Sequence, residues 1–449
     1  TTADNQVGRF RQTVYSHPSY VNPAQFLGRT KSFTVQRAHV RIRVRDFPQI
    51  LPGPVRPRRV PGDPNSLAIV RPLQVAFDRR PQPSRLLGII DFGGSDFTEI
   101  HKAVQRIAIG DDESWHQDWK RLGDLCEAQG AEAERHGNRF TARFAYQRAS
   151  NYHRASQFYM PGSDARKIPT LKRQRDAFQK AMPYFDRPIE AVEIPYEGTT
   201  LQGYFVPSRV GRGRLPAILY LNGADSLSEE AYFTVALPAA MAGYHCLVFN
   251  APGVGVTLYD KGLATRPDCE HFVTPALDFL LRRPEVDPGK VCTVGESFAA
   301  YLIPRAAAFE PRFAAAVSWG ALYSWGSDYR PREWFGPKGP NHHIQRLIGA
   351  KSVEEFHELR EKYTLKGVLG KITCPILFLV GAEDWAPLAV SQGIRCVEEC
   401  SATVKRLRVV ERAEGLGGVT HCNKDNLHVM HAHTFNFLNE VLGYRPRAH

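Results

Sequence analysis

Three rhythms of apolar and polar residues follow one another along the chain. Within residues 32–44 the two alternate in short stretches, Phe33 and Val35 and then Val40, Ile42 and Val44, which predicts one or two strands. Residues 115–136 are rich in Glu, Ala, Lys and Arg, a break falls at His136-Gly137-Asn138, and residues 139–159 continue with aromatics at Phe140, Phe144, Tyr152 and Phe158. This pattern predicts an α-hairpin whose aromatic stripe packs into a core. Pro161-Gly162-Ser163-Asp164 ends it, with Ser163 or Asp164 as the cap of a third helix over residues 165–182.

Beyond Pro188 strands alternate with helices. Residues 189–195 and 201–207 flank Tyr196-Glu197-Gly198-Thr199 as an antiparallel hairpin. Short apolar runs follow at residues 216–221, 244–249, 291–294, 313–317 and 375–380, most of them separated by helical stretches near residues 230–242, 268–283, 298–309 and 387–399. Runs of this length between helices describe strands buried on both faces, hence an α/β fold with a mostly parallel sheet. Residues 322–370 interrupt the alternation with Trp, His and Pro and then a helix over 352–363, as an inserted cap would. The expected organisation is a Pro- and Arg-rich arm (1–95), a helical unit (96–188) and an α/β unit (189–449) carrying the cap.

Composition narrows the class. Of 449 residues, 43% are hydrophobic and 23% charged, which excludes wholesale disorder. No run of 18 apolar residues exists, so no membrane-spanning helix is expected, and the first residues lack the charged-then-apolar order of a secretory signal. Eight scattered cysteines in a chain this long read as free thiols in a reducing, cytoplasmic setting. Cys396 and Cys400 lack a second pair to complete a zinc site, and His428, His431 and His433 match no metal motif and read as solvated helix positions, so neither metal nor cofactor is expected. The net charge of +12 is concentrated: residues 1–86 hold 15 Arg or Lys against four Asp, leaving the remainder near neutral. Without a nucleic-acid-binding motif beside it, this basic segment reads as an extended arm over the body or a partner subunit rather than a nucleic-acid contact.

The candidate chemistry lies at strand ends. Gly295-Glu296-Ser297-Phe298-Ala299 falls between a buried strand and a helix, where a sharp turn exposes the Ser297 hydroxyl and aims helix N–H groups at a developing oxyanion. Asp384 follows the strand at 375–380, and His421 follows strand-like residues 404–410. In this order Ser297 is the nucleophile, His421 takes its proton and Asp384 orients the imidazole. Phe298 N–H and Ala224 N–H, the latter from the loop after the first parallel strand, form the expected oxyanion hole. The other candidate histidines, His342 and His343, suit substrate contact or exposure. Trp319, Tyr323, Trp325 and Trp334 are expected to line a pocket for a flat small molecule.

Residues 115–445 resemble the α/β-hydrolases with a helical N-terminal domain, the group of fungal polyketide-shortening pigment hydrolases and bacterial 2,6-dihydroxypseudooxynicotine hydrolase. The resemblance is carried by residues 141–158, 172–181, Gly295-Glu296-Ser297-Phe298-Ala299, residues 310–320 and Thr420-His421-Cys422-Asn423. It implies the α/β-hydrolase fold, retro-Claisen hydrolysis of a carbon–carbon bond beside a ketone in an aromatic or polyketide-derived substrate, and the triad Ser297, Asp384 and His421. It further implies a helical lid that also serves as a homodimer surface, and an accessory cap carboxylate, for which Asp328 or Glu333 is available. The family elbow reads Gly-x-Ser-x-Gly-Gly, whereas this chain has Ala299-Ala300 and must house two extra methyls. The same triad serves an esterase, thioesterase or acyltransferase, and a catalytically silent binding protein is the remaining reading.

Overall fold

The computed structural model describes residues 82–335, 342–384, 386 and 388–446. The alternating stretches at residues 32–44 and the Pro-rich run at 48–64 lie outside the described residues.

Among the described residues, eight strands form one sheet: β1 (Glu190–Tyr196), β2 (Thr199–Val206), β3 (Leu215–Leu221), β4 (His245–Phe249), β5 (Val286–Glu296), β6 (Ala315–Trp319), β7 (Ile376–Gly381) and β8 (Lys405–Val410). Their order is β1-β2-β4-β3-β5-β6-β7-β8. The hairpin β1–β2 is antiparallel and β2 runs antiparallel to β4. Every later pairing is parallel. Every residue of β3, β4, β6 and β7 is buried, the reason their sequences read as unbroken apolar runs. The edge strand β8 instead presents Lys405, Arg406 and Arg408, which discourage pairing with another chain. Alternate strand residues feed two cores. Ile218, Tyr220, Val248 and Trp319 join one, while Leu219, Leu221, Phe249 and Phe378 join the other.

The first core is continuous with the helical unit, built from α1 (Gln82–Gly88), α2 (Phe97–Arg106), α3 (Asp112–Arg135), α4 (Arg139–Ser156) and α5 (Lys167–Ala181). Asp96, Asp111 and Asn138 accept first-turn N–H groups of α2, α3 and α4 and so start them. Asp164 takes the Arg166 N–H at 2.8 Å, so the expected cap closes the turn ahead of α5, which begins at Lys167. The aromatic stripe is packing: Tyr152 stacks on Trp119 at 5.7 Å and Trp115 meets Tyr159 edge-on at 5.1 Å. Phe140 departs from it and is 74% exposed.

Residues 82–95, grouped with the arm by sequence, fold onto the α/β unit. Leu86 and Ile89 are buried there, and Arg85 pairs with Glu230 at 2.7 Å and Asp225 at 2.8 Å. The remaining helices are α6 (Gly255–Tyr259), α7 (Glu270–Leu281), α8 (Ala299–Phe309), α9 (His342–Leu347), α10 (Val353–Leu359), α11 (Ala389–Glu399) and α12 (Leu427–Val441). The helix expected near 230–242 is instead broken into Ser228–Ala231, a wider π-type turn at Tyr232–Ala236, and Leu237–Met241. Pro238 has no N–H to give to the Thr234 carbonyl. That freed oxygen accepts Nε2–H of His431 at 2.7 Å, which is why this helix histidine is buried rather than solvated.

Candidate active site

Ser297 leaves β5 with φ at +58°, a left-handed conformation that a residue with a side chain keeps only where its surroundings impose it. Its N–H is donated to the Trp319 carbonyl at 3.0 Å. Gly295 leaves the room the turn needs: a Cβ there would lie 2.8 Å from Ala299 Cβ and 2.9 Å from the Leu221 carbonyl oxygen. The methyls of Ala299 and Ala300 are housed by glycines elsewhere, Gly295 facing the first and Gly320 the second. The elbow therefore forms without the family's two glycines.

Asp384 follows β7 and His421 opens the short turn His421–Asn423 beyond β8. His421 Nδ1 lies 2.8 Å from Asp384 Oδ1, and Nε2 lies 2.9 Å from Ser297 Oγ. A carboxylate only accepts, so Nδ1 carries the hydrogen and Nε2 is the acceptor for the Ser297 hydroxyl. Asp384 Oδ1 also accepts the Ala386 N–H at 2.8 Å, and the Asp384 side chain is 2% exposed. Burial alone would lower the His421 value, but the adjacent Asp384 charge outweighs it and raises the imidazole well above 6.5. Such a ring is a stronger acceptor for the serine proton.

Asp425 shapes the segment that delivers His421. Its Oδ2 accepts N–H groups of Gly418 at 2.7 Å and Val419 at 3.1 Å. Its Oδ1 accepts Thr420 N–H at 3.0 Å and the Thr420 hydroxyl at 2.6 Å. Burial opposes its charge, yet these bonds hold the carboxyl below its ordinary 3.8.

The turn after β3 meets the elbow at Gly223, where a Cβ would stand 3.0 Å from Ser297 Cβ. Among the described residues, neither the Ala224 N–H nor the Phe298 N–H is given to another acceptor, which leaves both for an oxygen on a carbon bound to Ser297. The Ala224 carbonyl is held from the cap: His343 of α9 donates Nε2–H to it at 2.6 Å and accepts the Tyr259 hydroxyl on Nδ1 at 2.7 Å. Burial keeps His343 below 6.5, matching this neutral tautomer. His343 is thus a strut between cap and turn rather than an exposed side chain.

The remaining expected residues separate. Trp325 meets Phe298 edge-on at 5.1 Å and bears on Phe356 and Tyr363, so the cap's aromatic wall reaches the residue after Ser297. Tyr323 is buried and donates its hydroxyl to Glu399 at 2.9 Å. Trp334 is half-buried beneath the Arg330 guanidinium. Trp319 does not line a pocket: strand alternation turns it toward the helical-unit face, where it packs on Tyr220 and donates Nε1–H to Thr434 Oγ1 at 2.8 Å. Asp328 and Glu333 are exposed, Asp328 accepts the Ser324 hydroxyl at 2.7 Å, and neither contacts Ser297 or His421 among the described residues. The accessory acid expected at these positions is not delivered to the site.

Sequence reasoning passed over the ionic layer beneath the elbow. Glu296, 2% exposed, pairs with Lys424 at 2.6 Å. Burial would raise the Glu296 carboxyl, but Lys424 and then Arg85 outweigh it and hold it below 4.5. The signal was present in Lys424, a cation three residues after His421. On α12, His428 is exposed and pairs with Asp91, while His433 faces Arg408. Asp124, Glu127 and His153 converge within 4.8 Å, but the Arg173 guanidinium contacts both carboxylates at 2.5 Å and fills the place a cation would take.

A mostly parallel sheet in this order, with a serine on a left-handed turn after β5 and a histidine and an aspartate brought to it from beyond β8 and β7, defines the α/β-hydrolase fold. A family model described as Esterase FrsA-like matches residues 95–324, about half of the chain, and the chain belongs to that family. It is 37% identical over 251 residues to "Alpha/beta hydrolase xenA" of Xenoacremonium sinensis, a match covering 54% of this chain and 59% of that protein. The chain thus spans about three fifths of the length of such curated relatives. It is 31% identical over 410 residues to "Hydrolase LUC6" of a Fusarium species, covering 80% of this chain and 96% of that one. The crystal structure of a 2,6-dihydroxy-pseudo-oxynicotine hydrolase shares the fold, with a TM-score of 0.67 at 22% identity over 81% of this chain and 97% of that chain. No helix among the described residues is long and apolar enough to cross a membrane.

Proposed function

We propose that the chain is a serine hydrolase that cleaves a carbon–carbon bond beside a ketone in an aromatic or polyketide-derived substrate. The observation that carries the reading is the unbroken relay from Ser297 Oγ through His421 to Asp384, mounted on a left-handed turn. Ser297 Oγ attacks the ketone carbon and its proton passes to His421 Nε2. The resulting oxyanion accepts the N–H groups of Phe298 and Ala224. Collapse breaks the bond to the adjacent carbon, whose electron pair leaves as an enolate and takes the proton from His421. Water, deprotonated by His421, then releases the acyl group from Ser297, so one β-diketone and one water yield a ketone and a carboxylic acid. The high proton affinity of His421 supports this order, because the ring holds the proton until a carbanion forms. The buried aromatic wall at Phe298 and Trp325 supports a flat apolar substrate, and hydrolase-named fungal relatives support a hydrolytic reaction.

An esterase on the same triad is the second reading, favoured by the family's description. Incubating the protein with a β-diketone and its matching ester, with product analysis by mass spectrometry, separates them. Turnover of the diketone to acid and ketone, abolished in Ser297→Ala, supports carbon–carbon hydrolysis; turnover of the ester alone refutes it. The reading includes a cytoplasmic homodimer joined through the helical unit, supported by Phe97, Ile109, Leu125 and Phe140 exposed on that unit. A monomer mass in light scattering refutes the dimer, and fluorescent tagging in the source cell tests the location.

A further inference from the structure

Arg330 lies in the cap and is only 9% exposed. Its guanidinium stands 5.9 Å from the ring centre of Trp325 and 5.1 Å from that of Trp334. Among the described residues no carboxylate pairs with it, and its Nε finds no acceptor. Burial lowers its value to about 10, partly offset by the field of Asp384, so it remains a cation at neutral pH. Two other buried guanidinium groups are neutralised: Arg85 by Glu230 and Asp225, and Arg154 by Glu230 at 3.3 Å. A buried cation left without a counter-charge is costly, and folded chains keep one mainly where an anion arrives.

The surroundings fix where that charge sits. Arg360, itself buried, donates Nη1–H to the carbonyls of Trp325 at 3.1 Å and Arg330 at 2.6 Å, which pins the Arg330 backbone and leaves its head group unspent. Trp325, flanking the guanidinium, is the ring that touches Phe298 next to the nucleophile. A positive charge is thereby held one aromatic ring away from the elbow.

We propose that Arg330 recognises an anionic oxygen on the substrate, a carboxylate or the enolate oxygen of an acidic 1,3-dicarbonyl, and so selects acidic ketones. The planar fork matches two oxygens or one oxygen and its neighbour, while Trp325 and Trp334 bracket the flat remainder. The place of this contact in turnover rests on the proposed carbon–carbon hydrolysis, but the binding claim stands apart from it.

The test uses the full chain carrying Ser297→Ala, so that no turnover is needed, and isothermal titration calorimetry at neutral pH. Three probes are compared: 4-oxo-4-phenylbutanoate, its methyl ester, and 2-acetylcyclohexane-1,3-dione, an enolate at that pH. At least one anionic probe is expected to bind about 10- to 100-fold more tightly than the ester, and which one does identifies the source of the anionic oxygen. Adding Arg330→Met erases that preference, whereas Arg330→Lys keeps part of it. Because the guanidinium has no carboxylate partner among the described residues and only the rings of Trp325 and Trp334 to lose, Arg330→Met melts close to its parent. Affinities of both anions no greater than that of the ester, a parallel loss of anion and ester binding in Arg330→Met, absence of binding by both anions, or a large fall in the melting temperature of Arg330→Met overturns the proposal. Failure of the active protein to cleave a β-diketone refutes the reaction while leaving this binding result to be read on its own.

Discussion

The ion pair between Glu296 and Lys424 ties the strand end that carries Ser297 to the loop that carries His421. Glu296 immediately precedes Ser297 and Lys424 follows His421 by three residues. The two side chains meet at 2.6 Å with exposures of 2% and 12%, so solvent screens the contact little. Replacing Lys424 by Met removes one charge and strands the other. Breaking a buried pair in this way costs about 3–5 kcal/mol. Spread over the unfolding entropy of a catalytic unit of this size, that is a fall of about 5–10 °C in melting temperature. The elbow and the histidine loop lose their shared anchor, and phosphonylation of Ser297 by a fluorophosphonate slows by about tenfold, the equivalent of about 1.4 kcal/mol. Adding Glu296→Gln removes the stranded charge, so the double variant recovers most of the lost stability, whereas two independent losses would add. Differential scanning fluorimetry on wild type, both single variants and the double variant closes the cycle. A cost below about 1 kcal/mol for Lys424→Met, or a double variant no more stable than Lys424→Met alone, refutes the reasoning.

Other consequences are equally direct. Because Asp384 raises the His421 value above 6.5, and only the neutral ring accepts a proton, kcat/KM for a neutral substrate rises with pH through a midpoint above 6.5; Asp384→Asn moves that midpoint down and lowers kcat by about three to four orders of magnitude. Asp425 has a lowered value, so the stability it adds is present above 3.8 and is lost as pH falls through its folded value. Asp425→Ala should remove about 2–4 kcal/mol, flatten that acid-side loss in a pH-dependent melt, and depress activity through His421. His343→Leu releases the Ala224 carbonyl, and Tyr259→Phe removes the bond that orients His343 toward it; steady-state kinetics should give kcat reduced by about tenfold in His343→Leu, and by less in Tyr259→Phe, with KM little changed.

The sheet was legible because buried parallel strands leave a local mark. The runs at 216–221, 244–249 and 375–380 fall on β3, β4 and β7 almost residue for residue. The order Ser297, Asp384, His421 was legible for the same reason, since each follows a strand that can be recognised. Which face a side chain takes was not. Trp319 reads like its aromatic neighbours in the cap but sits at the end of β6, where alternation sends it to the helical-unit core. Nor could local sequence give partners across long separations: His343 meets Ala224 over 119 positions and Arg85 meets Glu230 over 145. Arg85 belonged to a basic run in the sequence, and only tertiary structure distinguishes this buried, paired guanidinium from a solvated one. The break at Tyr232–Ala236 was visible as Pro238, yet its consequence, a free carbonyl for His431, needed the packed helix.

The most direct measurement is the site and rate of fluorophosphonate labelling, read by intact mass and peptide mapping. The account predicts a single adduct on Ser297, absent in Ser297→Ala and slowed by at least about a hundredfold in His421→Ala. Labelling elsewhere, or labelling of Ser297 at an unchanged rate once His421 is gone, would contradict it.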